Sequence, residues 1–231
     1  MVLSERLPQE YAKDYALRTI KENIIHLTLK PGSKVSEMEL AVELGLSRGP
    51  VREALIDLTK VKIVEVFPQK GSFIALIDYD LIAETCFMRE KLEIAAAQRC
   101  CENGIKPEIL EALQENIRLQ QFYQNPWNQD KLWSLDNQFH QLLFKNADLS
   151  TVFPYISSIL VHFDRVRAMS LAFGQTERTF EEHGLILEAI LKKNIAAAET
   201  LMHEHINRYQ IFKDKICSRY PSFIKENGNN G

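Results

Sequence analysis

The sequence predicts a mainly α-helical protein, in which an N-terminal winged helix-turn-helix precedes an antiparallel bundle of about six to seven helices. Two observations carry this prediction. Before residue 78, two short helical patterns meet at a glycine, and two β-rich runs follow them. After it, apolar residues recur at three- and four-residue steps between short polar breaks. We expect a winged domain at 1–77, a helical domain at 78–220 and a polar, disordered tail at 221–231.

The first predicted helix supports the winged domain, and the second is the first helix of its helix-turn-helix. Residues 15–29 carry isoleucines and leucines at helical spacing and stop at Lys30-Pro31-Gly32. Ser36 and Glu39 then have the spacing of a capping box, and Gly45 fits the left-handed position that ends a helix. The second helix is therefore expected to be short and to turn sharply into the next one.

The third predicted helix carries the most informative residues of the chain. Ser47 is a good N-cap, and Pro50 falls in the first turn, where a missing N–H costs little. Arg48 and Arg52 lie four residues apart on one face near the helix start, as in a helix that enters a DNA groove. The same pattern also occurs in proteins that never bind DNA, and each arginine alone could be a solvated surface charge.

Two β-rich runs after this helix predict a hairpin. Residues 61–67 and 72–77 are rich in β-branched and aromatic side chains and flank a Pro-Gln-Lys-Gly turn. Such a hairpin is the wing of a winged helix, with Lys70 at its tip. Lys70 alone is equally compatible with a solvated charge.

Composition indicates an ordinary globular protein of 231 residues with net charge −3. Residues 1–77 carry 11 basic and 10 acidic side chains, a net charge of +1, and the remainder carries −4. DNA binding would therefore need a local basic face, and a homodimer would double its few phosphate contacts.

No apolar run reaches the length of a membrane span and no signal peptide is recognisable, so we expect a cytoplasmic protein without membrane contact. The four cysteines lack metal or disulfide spacing.

Residues 11–77 resemble the winged-helix domain of the GntR family of bacterial transcription regulators. The shared pattern comprises Pro31-Gly32, a Leu-Ala-x-x-Leu-Gly stretch at 40–45, and a Ser-Arg-x-Pro-Val-Arg-Glu-Ala-Leu stretch at 47–55. Gly49 replaces the usual threonine, and Met38 stands where many relatives have a phosphate-binding arginine. The resemblance implies palindromic double-stranded operator DNA as the partner. It implies that the DNA-contacting residues are Ser47, Arg48, Gly49, Arg52, Lys70 and Gly71.

The helical half contains a set of polar residues with metal-ligand character. Asp136 and His140 are four residues apart on one predicted helix face, while His183 and His205 lie on later predicted helices. Three imidazoles and one carboxylate suit zinc, with nickel or manganese as alternatives, and leave positions for water or an effector. From spacing alone, a histidine is more often a satisfied polar residue than a ligand.

Residues 80–216 resemble the FCD ligand-binding domain of the FadR subfamily of GntR regulators. Its metal-binding members share Asp-x-x-x-His, a later His before an Ile-x-x-Ala-Ile-like run, and Met-x-x-His. All four implied metal-ligand positions are filled here, by Asp136, His140, His183 and His205. Members that bind acyl-coenzyme A lack this set, so the resemblance disfavours that effector class.

The resemblance also indicates the effector. An arginine early in the first bundle helix faces the metal pocket in the family, and Arg89 occupies that position. A guanidinium there could clamp a carboxylate, so we expect a small organic acid such as a sugar acid or hydroxy acid. Arg165 and Arg167 are further candidates for effector binding, although a solvated face or an ion pair would explain them equally well.

The sequence therefore predicts a homodimeric transcriptional regulator that responds to a small carboxylate at a divalent-metal site and is not an enzyme. The resemblance implies a repressor, since repression is the commoner behaviour in the family. A metal sensor that responds to the ion itself is one alternative. A metallohydrolase with an accessory winged helix is another, because an open metal position can activate water.

Overall fold

The computed structural model describes residues 1–171 and 177–226 and is mainly helical. The chain forms two compact units that are not contiguous in sequence. The first contains residues 1–82, residues 159–168 and the described part of 213–231. The second contains residues 83–158 and the described part of 169–212.

The first unit contains the predicted winged helix-turn-helix. Helices α1 (Ala12–Ile25) and α2 (Glu37–Leu44) pack against α3 (Arg48–Lys60). The three strands β1 (Lys34–Val35), β2 (Val64–Phe67) and β3 (Gly71–Ile74) form an antiparallel sheet in the order β1-β3-β2. The buried side chains of α3, such as Val51 and Leu58, form its core face, as the helical spacing predicts.

The predicted caps of the helix-turn-helix are confirmed at α2. The Ser36 side chain accepts a hydrogen bond from the backbone N–H of Glu39 at 3.5 Å. Gly45 ends the helix with φ +65°, a conformation that costs glycine little. Ser47 is the N-cap residue of α3 as predicted, but its side chain makes no capping hydrogen bond.

The wing is the hairpin of β2 and β3, and a third strand adds to it. Val64 pairs with Ile74 at the base of the hairpin, and Phe67 pairs with Gly71 at its tip. Strand β1 pairs with β3 and was not expected, because two residues are too short for a pattern of alternation. Gly71 has φ +105°, so the tip of the wing requires a residue without a side chain.

The first unit also takes in segments from the helical half of the sequence. They are the beginning of α8 (Val161–Leu171), α11 (Gln210–Arg219) from Lys213 onward, and the 3₁₀ turn Pro221–Phe223. The backbone N–H of Ile77 donates to the carbonyl of Phe223, and that of Lys225 donates to the carbonyl of Ile77. Residues 221–226 of the predicted disordered tail are therefore ordered, because they complete hydrogen bonds to the segment after β3.

A buried arginine and histidine on α8 fasten this helix inside the first unit. Arg165 donates to the carbonyls of Ala75 at 2.5 Å and Leu76 at 3.1 Å, and to His162 Nδ1 at 2.6 Å. His162 Nδ1 must then be the acceptor, so its Nε2–H donates to the carbonyl of Lys62 at 2.8 Å. Burial and the adjacent guanidinium lower the pKa of His162 to about 3.

The second unit is built from helices, and two predicted helices are each divided in two. The predicted helix at 150–172 is α7 followed by α8, and the one at 195–216 is α10 followed by α11. Neither junction contains proline or glycine, so the periodicity gave no sign of the break. The bounds are α4 Tyr79–Asn103, α5 Pro107–Tyr123, α6 Gln129–Asn146, α7 Val152–Ile159, α9 Glu177–Leu191 and α10 Ile195–Asn207.

The helices were compared with the requirements of a membrane span. Among the residues that the structure describes, none of the helices combines the length and the apolar character that a bilayer crossing needs.

The buried His162 predicts a pH dependence of stability. Its pKa is about 3 in the folded protein and about 6.5 when exposed, so the unfolded chain takes up a proton first as the pH falls. The free energy of unfolding should therefore decline below pH 6.5, by about 2 kcal/mol at pH 5 from this residue. Urea unfolding at pH 7 and pH 5 measures this decline.

The glutamine substitution isolates the contribution of His162. His162→Gln is uncharged at both pH values and should show a smaller decline than the parent protein. His26→Gln, at an exposed histidine of the same unit, should retain the parent's decline. An equal decline in parent and His162→Gln would contradict the buried, neutral state of His162.

Candidate functional site

Three helices of the second unit bring four potential metal ligands together. Asp136 and His140 lie on α6, His183 on α9 and His205 on α10. All four side chains are buried, and one ligand atom from each lies within 4.8 Å of all the others. The structure thus assembles the whole ligand set that the sequence predicts.

The distances between the ligand atoms match those around a metal ion. His205 Nε2 lies 3.1 Å from His140 Nε2 and 3.3 Å from His183 Nε2. The Asp136 carboxylate oxygens lie 3.7 Å from His183 Nε2 and 3.9 Å from His140 Nε2. With metal–nitrogen bonds of about 2.0–2.1 Å, neighbouring ligand atoms are about 3.0 Å apart in an octahedral site and about 3.4 Å in a tetrahedral one. The donor set therefore fits a divalent ion with little rearrangement.

The outer nitrogen of each imidazole faces an acceptor. His140 Nδ1 lies against the Glu93 carboxylate, His183 Nδ1 is 2.8 Å from Gln120 Oε1, and His205 Nδ1 is 3.1 Å from Glu182 Oε2. Each Nδ1 therefore carries the proton, which leaves each Nε2 with a lone pair directed at the other two. Three such lone pairs repel one another unless a cation lies between them. The same arrangement of outer acceptors holds histidine ligands in known metal sites.

A chain of amides fixes the orientation of Gln120. Asn116 Nδ2 donates to the backbone carbonyl of Leu135 at 2.9 Å, which leaves Asn116 Oδ1 to accept from Gln120 Nε2. Gln120 Oε1 then faces His183. Because a backbone carbonyl can only accept, this chain decides the assignment of both amides.

Aromatic packing sets the plane of His183. The Phe139 ring stacks on it with centroids 4.0 Å apart and an angle of 18° between the planes. Phe139 precedes His140 on α6 and is fully buried. The same helix turn therefore supplies one ligand and the support for another.

A buried ion pair extends from His140 to Arg89. Arg89 Nε donates to Glu93 Oε1 at 2.5 Å, and Glu93 Oε2 faces His140 Nδ1. Burial opposes the charge of Glu93, but Arg89 and His140 outweigh it and hold its pKa at about 2. Burial also opposes the charge of Arg89, yet Glu93 and Asp136 raise its pKa. Both groups therefore remain ionised.

The charges around the ligands leave a small negative excess. Three carboxylates, Glu93, Asp136 and Glu182, face two guanidiniums, Arg89 and Arg208. Burial is the main cause that lowers the pKa of His140, so this imidazole is uncharged at neutral pH. With neutral histidines, the named groups carry one net negative charge. A divalent cation would reverse it to one net positive charge.

Sequence reasoning missed the residues that hold the ligands. Glu93 follows Arg89 by four residues on α4, a helical ion-pair spacing that could have been recognised. Gln120 and Arg208 carry no such sign, because their partners come from other helices. Glu182 is next to a predicted ligand in sequence but contacts a different one.

The other two predicted effector residues lie on α8 in the first unit. Arg165 is fully buried and donates to two backbone carbonyls and to His162. Arg167 is half-buried on the same helix.

The predicted DNA-contacting residues lie on the surface of the first unit. Arg48 pairs with Glu37 at 3.4 Å, and its side chain is 70% exposed. A Cβ at Gly49 would meet no atom within 4 Å, so a side chain could begin there without a clash. Lys34 on β1 lies against the tip of the wing, with its Cε 3.1 Å from where a Gly71 side chain would begin. All six residues of the predicted set are exposed, namely Ser47, Arg48, Gly49, Arg52, Lys70 and Gly71.

Comparison with known families matches both halves of the chain. Residues 14–74 match the bacterial regulatory proteins of the gntR family, and residues 84–208 match the FCD domain. The chain belongs to the GntR family. This GntR protein is a transcriptional regulator that carries an FCD domain, and it is not an enzyme. GntR-type helix-turn-helix regulators bind operator DNA, and FCD domains often bind metal.

Individual relatives agree with the family. The HTH-type transcriptional repressor RspR of Escherichia coli (strain K12) is 30% identical over 200 residues, which cover 86% of this chain and 87% of that protein. An uncharacterised HTH-type regulator in an unstable DNA locus of Streptomyces ambofaciens is 30% identical over 188 residues, or 81% and 78% of the two chains. The solved structure of E. coli McbR/YncC shares the fold, with a TM-score of 0.75 at 21% identity over 92% of this chain and 100% of that one.

The buried cluster predicts one metal ion per chain. After loading with zinc and dialysis, elemental analysis should find about one zinc per chain in the parent and a large loss in His205→Ala, because an imidazole ligand is removed. His203→Ala is the matched control, since His203 is exposed on the same helix two residues away. Equal zinc content in His205→Ala and His203→Ala would contradict the assignment of His205 as a ligand.

Proposed function

We propose that this GntR regulator is a repressor of bacterial metabolism genes that binds a palindromic operator as a homodimer and responds to a small organic acid at a divalent metal. The observation that carries the proposal is the convergence of three imidazole Nε2 atoms whose Nδ1 atoms all face acceptors. This arrangement favours a resident cation over a set of satisfied polar residues. Asp136, His140, His183 and His205 are the proposed ligands.

Zinc is the proposed metal, and nickel or manganese is the alternative. Three nitrogen donors and one carboxylate are a common set for divalent transition metals, and geometry alone does not separate them. When bound, the ion would supply a Lewis-acidic position for an oxygen of the effector. The buried groups Glu93, Gln120 and Glu182 would hold the histidines in place around it.

An anionic effector follows from the charges of the site. The named buried groups have one net negative charge without metal and one net positive charge with a divalent ion. A carboxylate in the same place would restore neutrality, which burial favours. Arg89 is the proposed guanidinium partner, because its field reaches both Glu93 and the ligand Asp136. Arg165 fits an effector role less well, since its guanidinium already donates hydrogen bonds to the carbonyls of Ala75 and Leu76 and to His162 Nδ1.

DNA binding is assigned to the exposed face of the helix-turn-helix and to the wing. Arg48 and Arg52 project from the first turns of α3, and Lys70 with Gly71 forms the tip of the wing. The first 77 residues have almost no net charge, so a single copy would make few phosphate contacts and a homodimer would double them. Operator DNA implies the bacterial cytoplasm as the place of action.

The DNA-binding face predicts the effect of an arginine substitution. Arg52→Ala should weaken operator binding roughly tenfold or more in a gel-shift assay at physiological salt, because one basic contact per subunit is lost. Lys60→Ala is the control, since Lys60 lies in the last turn of α3 and pairs with Asp57. Unchanged operator retention in Arg52→Ala would overturn the assignment of α3.

A metal sensor is the second candidate, because the same ligand set would serve it. The two functions differ in what changes operator binding. In an operator titration, a sensor responds to zinc or nickel alone, whereas the proposed regulator responds only when a small carboxylate is added to the metal-loaded protein. A full response to the ion alone would favour the sensor.

A further inference from the structure

Glu93 connects the proposed effector arginine to one metal ligand. Its two carboxylate oxygens have different partners, Arg89 Nε on Oε1 and His140 Nδ1 on Oε2. The three side chains are 7%, 2% and 1% exposed for Arg89, Glu93 and His140. Because water is largely excluded, the electrostatic interactions among them are stronger than they would be at the surface.

The charge of Glu93 is shared between a guanidinium and an imidazole. A carboxylate that accepts from the Nδ1–H of a histidine makes its Nε2 a better metal donor. Arg89 competes for the same carboxylate and draws its charge away from His140. His183 has no such competition, since it faces the neutral Gln120. Glu182 is shared in a similar way, because its Oε2 faces His205 Nδ1 and also accepts from Arg208 Nε. Only the Glu93 pair involves the proposed effector arginine.

We propose that Glu93 couples the ion pairing of Arg89 to His140 and thereby adjusts the affinity of the site for its metal. Arg89 lowers the metal affinity in the absence of an anion, and an anion that neutralises Arg89 raises it. Since linkage is reciprocal, a bound metal raises the affinity for the anion by the same factor. This inference rests on the proposed metal site and deepens it.

A double-mutant cycle with zinc as the probe tests the connection. Zinc affinity is measured by competition with a chromophoric chelator in the full-length parent, Arg89→Met, Glu93→Gln and the double variant. Glu93→Gln should weaken zinc binding by roughly 10–100-fold, as loss of an outer carboxylate does in other histidine sites. Arg89→Met should tighten it severalfold in the parent background and markedly less in the Glu93→Gln background.

Conservative and distant variants separate charge from packing. Arg89→Lys retains the positive charge, so its zinc affinity should stay near that of the parent, whereas a packing effect would make it resemble Arg89→Met. If Arg89→Met does not fold, Arg89→Gln replaces it in the cycle, with circular dichroism as the check. Glu102→Gln, at an exposed carboxylate near the end of α4, should leave zinc affinity unchanged.

The outcomes distinguish this inference from the proposed function. If Arg89→Met changed zinc affinity by the same factor in the parent and in Glu93→Gln, the role of Glu93 would be overturned. Arg89 would then act on the metal through its electric field alone. A parent protein that binds no zinc, nickel or manganese would overturn the metal site itself. A larger change in zinc affinity on Arg89→Met in the parent than in Glu93→Gln supports the coupling through Glu93.

Discussion

The proposed metal centre depends on one arrangement, in which the outer nitrogen of each imidazole faces an oxygen acceptor from the protein. Glu93, Gln120 and Glu182 each occupy such a position. They determine the tautomer of every histidine and direct three unprotonated nitrogens to one point. Without these acceptors the same histidines could donate to one another and form an ordinary buried hydrogen-bond cluster. With them, the remaining lone pairs favour the cation that we propose at this site.

The same residues give the site its charge. Two of the three outer acceptors are carboxylates, and each is paired with an arginine, Arg89 or Arg208. The Arg89 pair keeps Glu93 ionised in a buried environment that would otherwise favour its neutral form. A divalent ion then leaves the centre with a positive excess. The proposal of an anionic effector thus rests on the groups that face the ligands as well as on the proposed ion.

Sequence patterns predicted those parts of the molecule that depend on local periodicity or on a short motif. The helix-turn-helix, its glycine turn and the wing follow from capping residues and alternation near Ser36, Gly45 and Gly71. The ligand set followed from family motifs, since spacing alone gave only a weak indication of a metal site. Gln120 and Arg208 were not foreseen, because their roles depend on contacts between helices far apart in sequence. Periodicity also could not show that the beginning of α8 and the residues near Ile224 pack with the winged helix. A hydrophobic pattern indicates which face of a helix is buried, but it does not identify the element that covers that face.

A thermal-shift screen of small carboxylates, with and without a metal chelator, tests the central claim that an anion binds at the metal centre. The account predicts that at least one hydroxy acid or sugar acid raises the midpoint of unfolding of the zinc-loaded protein by several degrees. The same acid should give no shift after the metal has been removed. An equal shift in loaded and stripped protein would contradict the claim, as would a screen in which no carboxylate stabilises the loaded form.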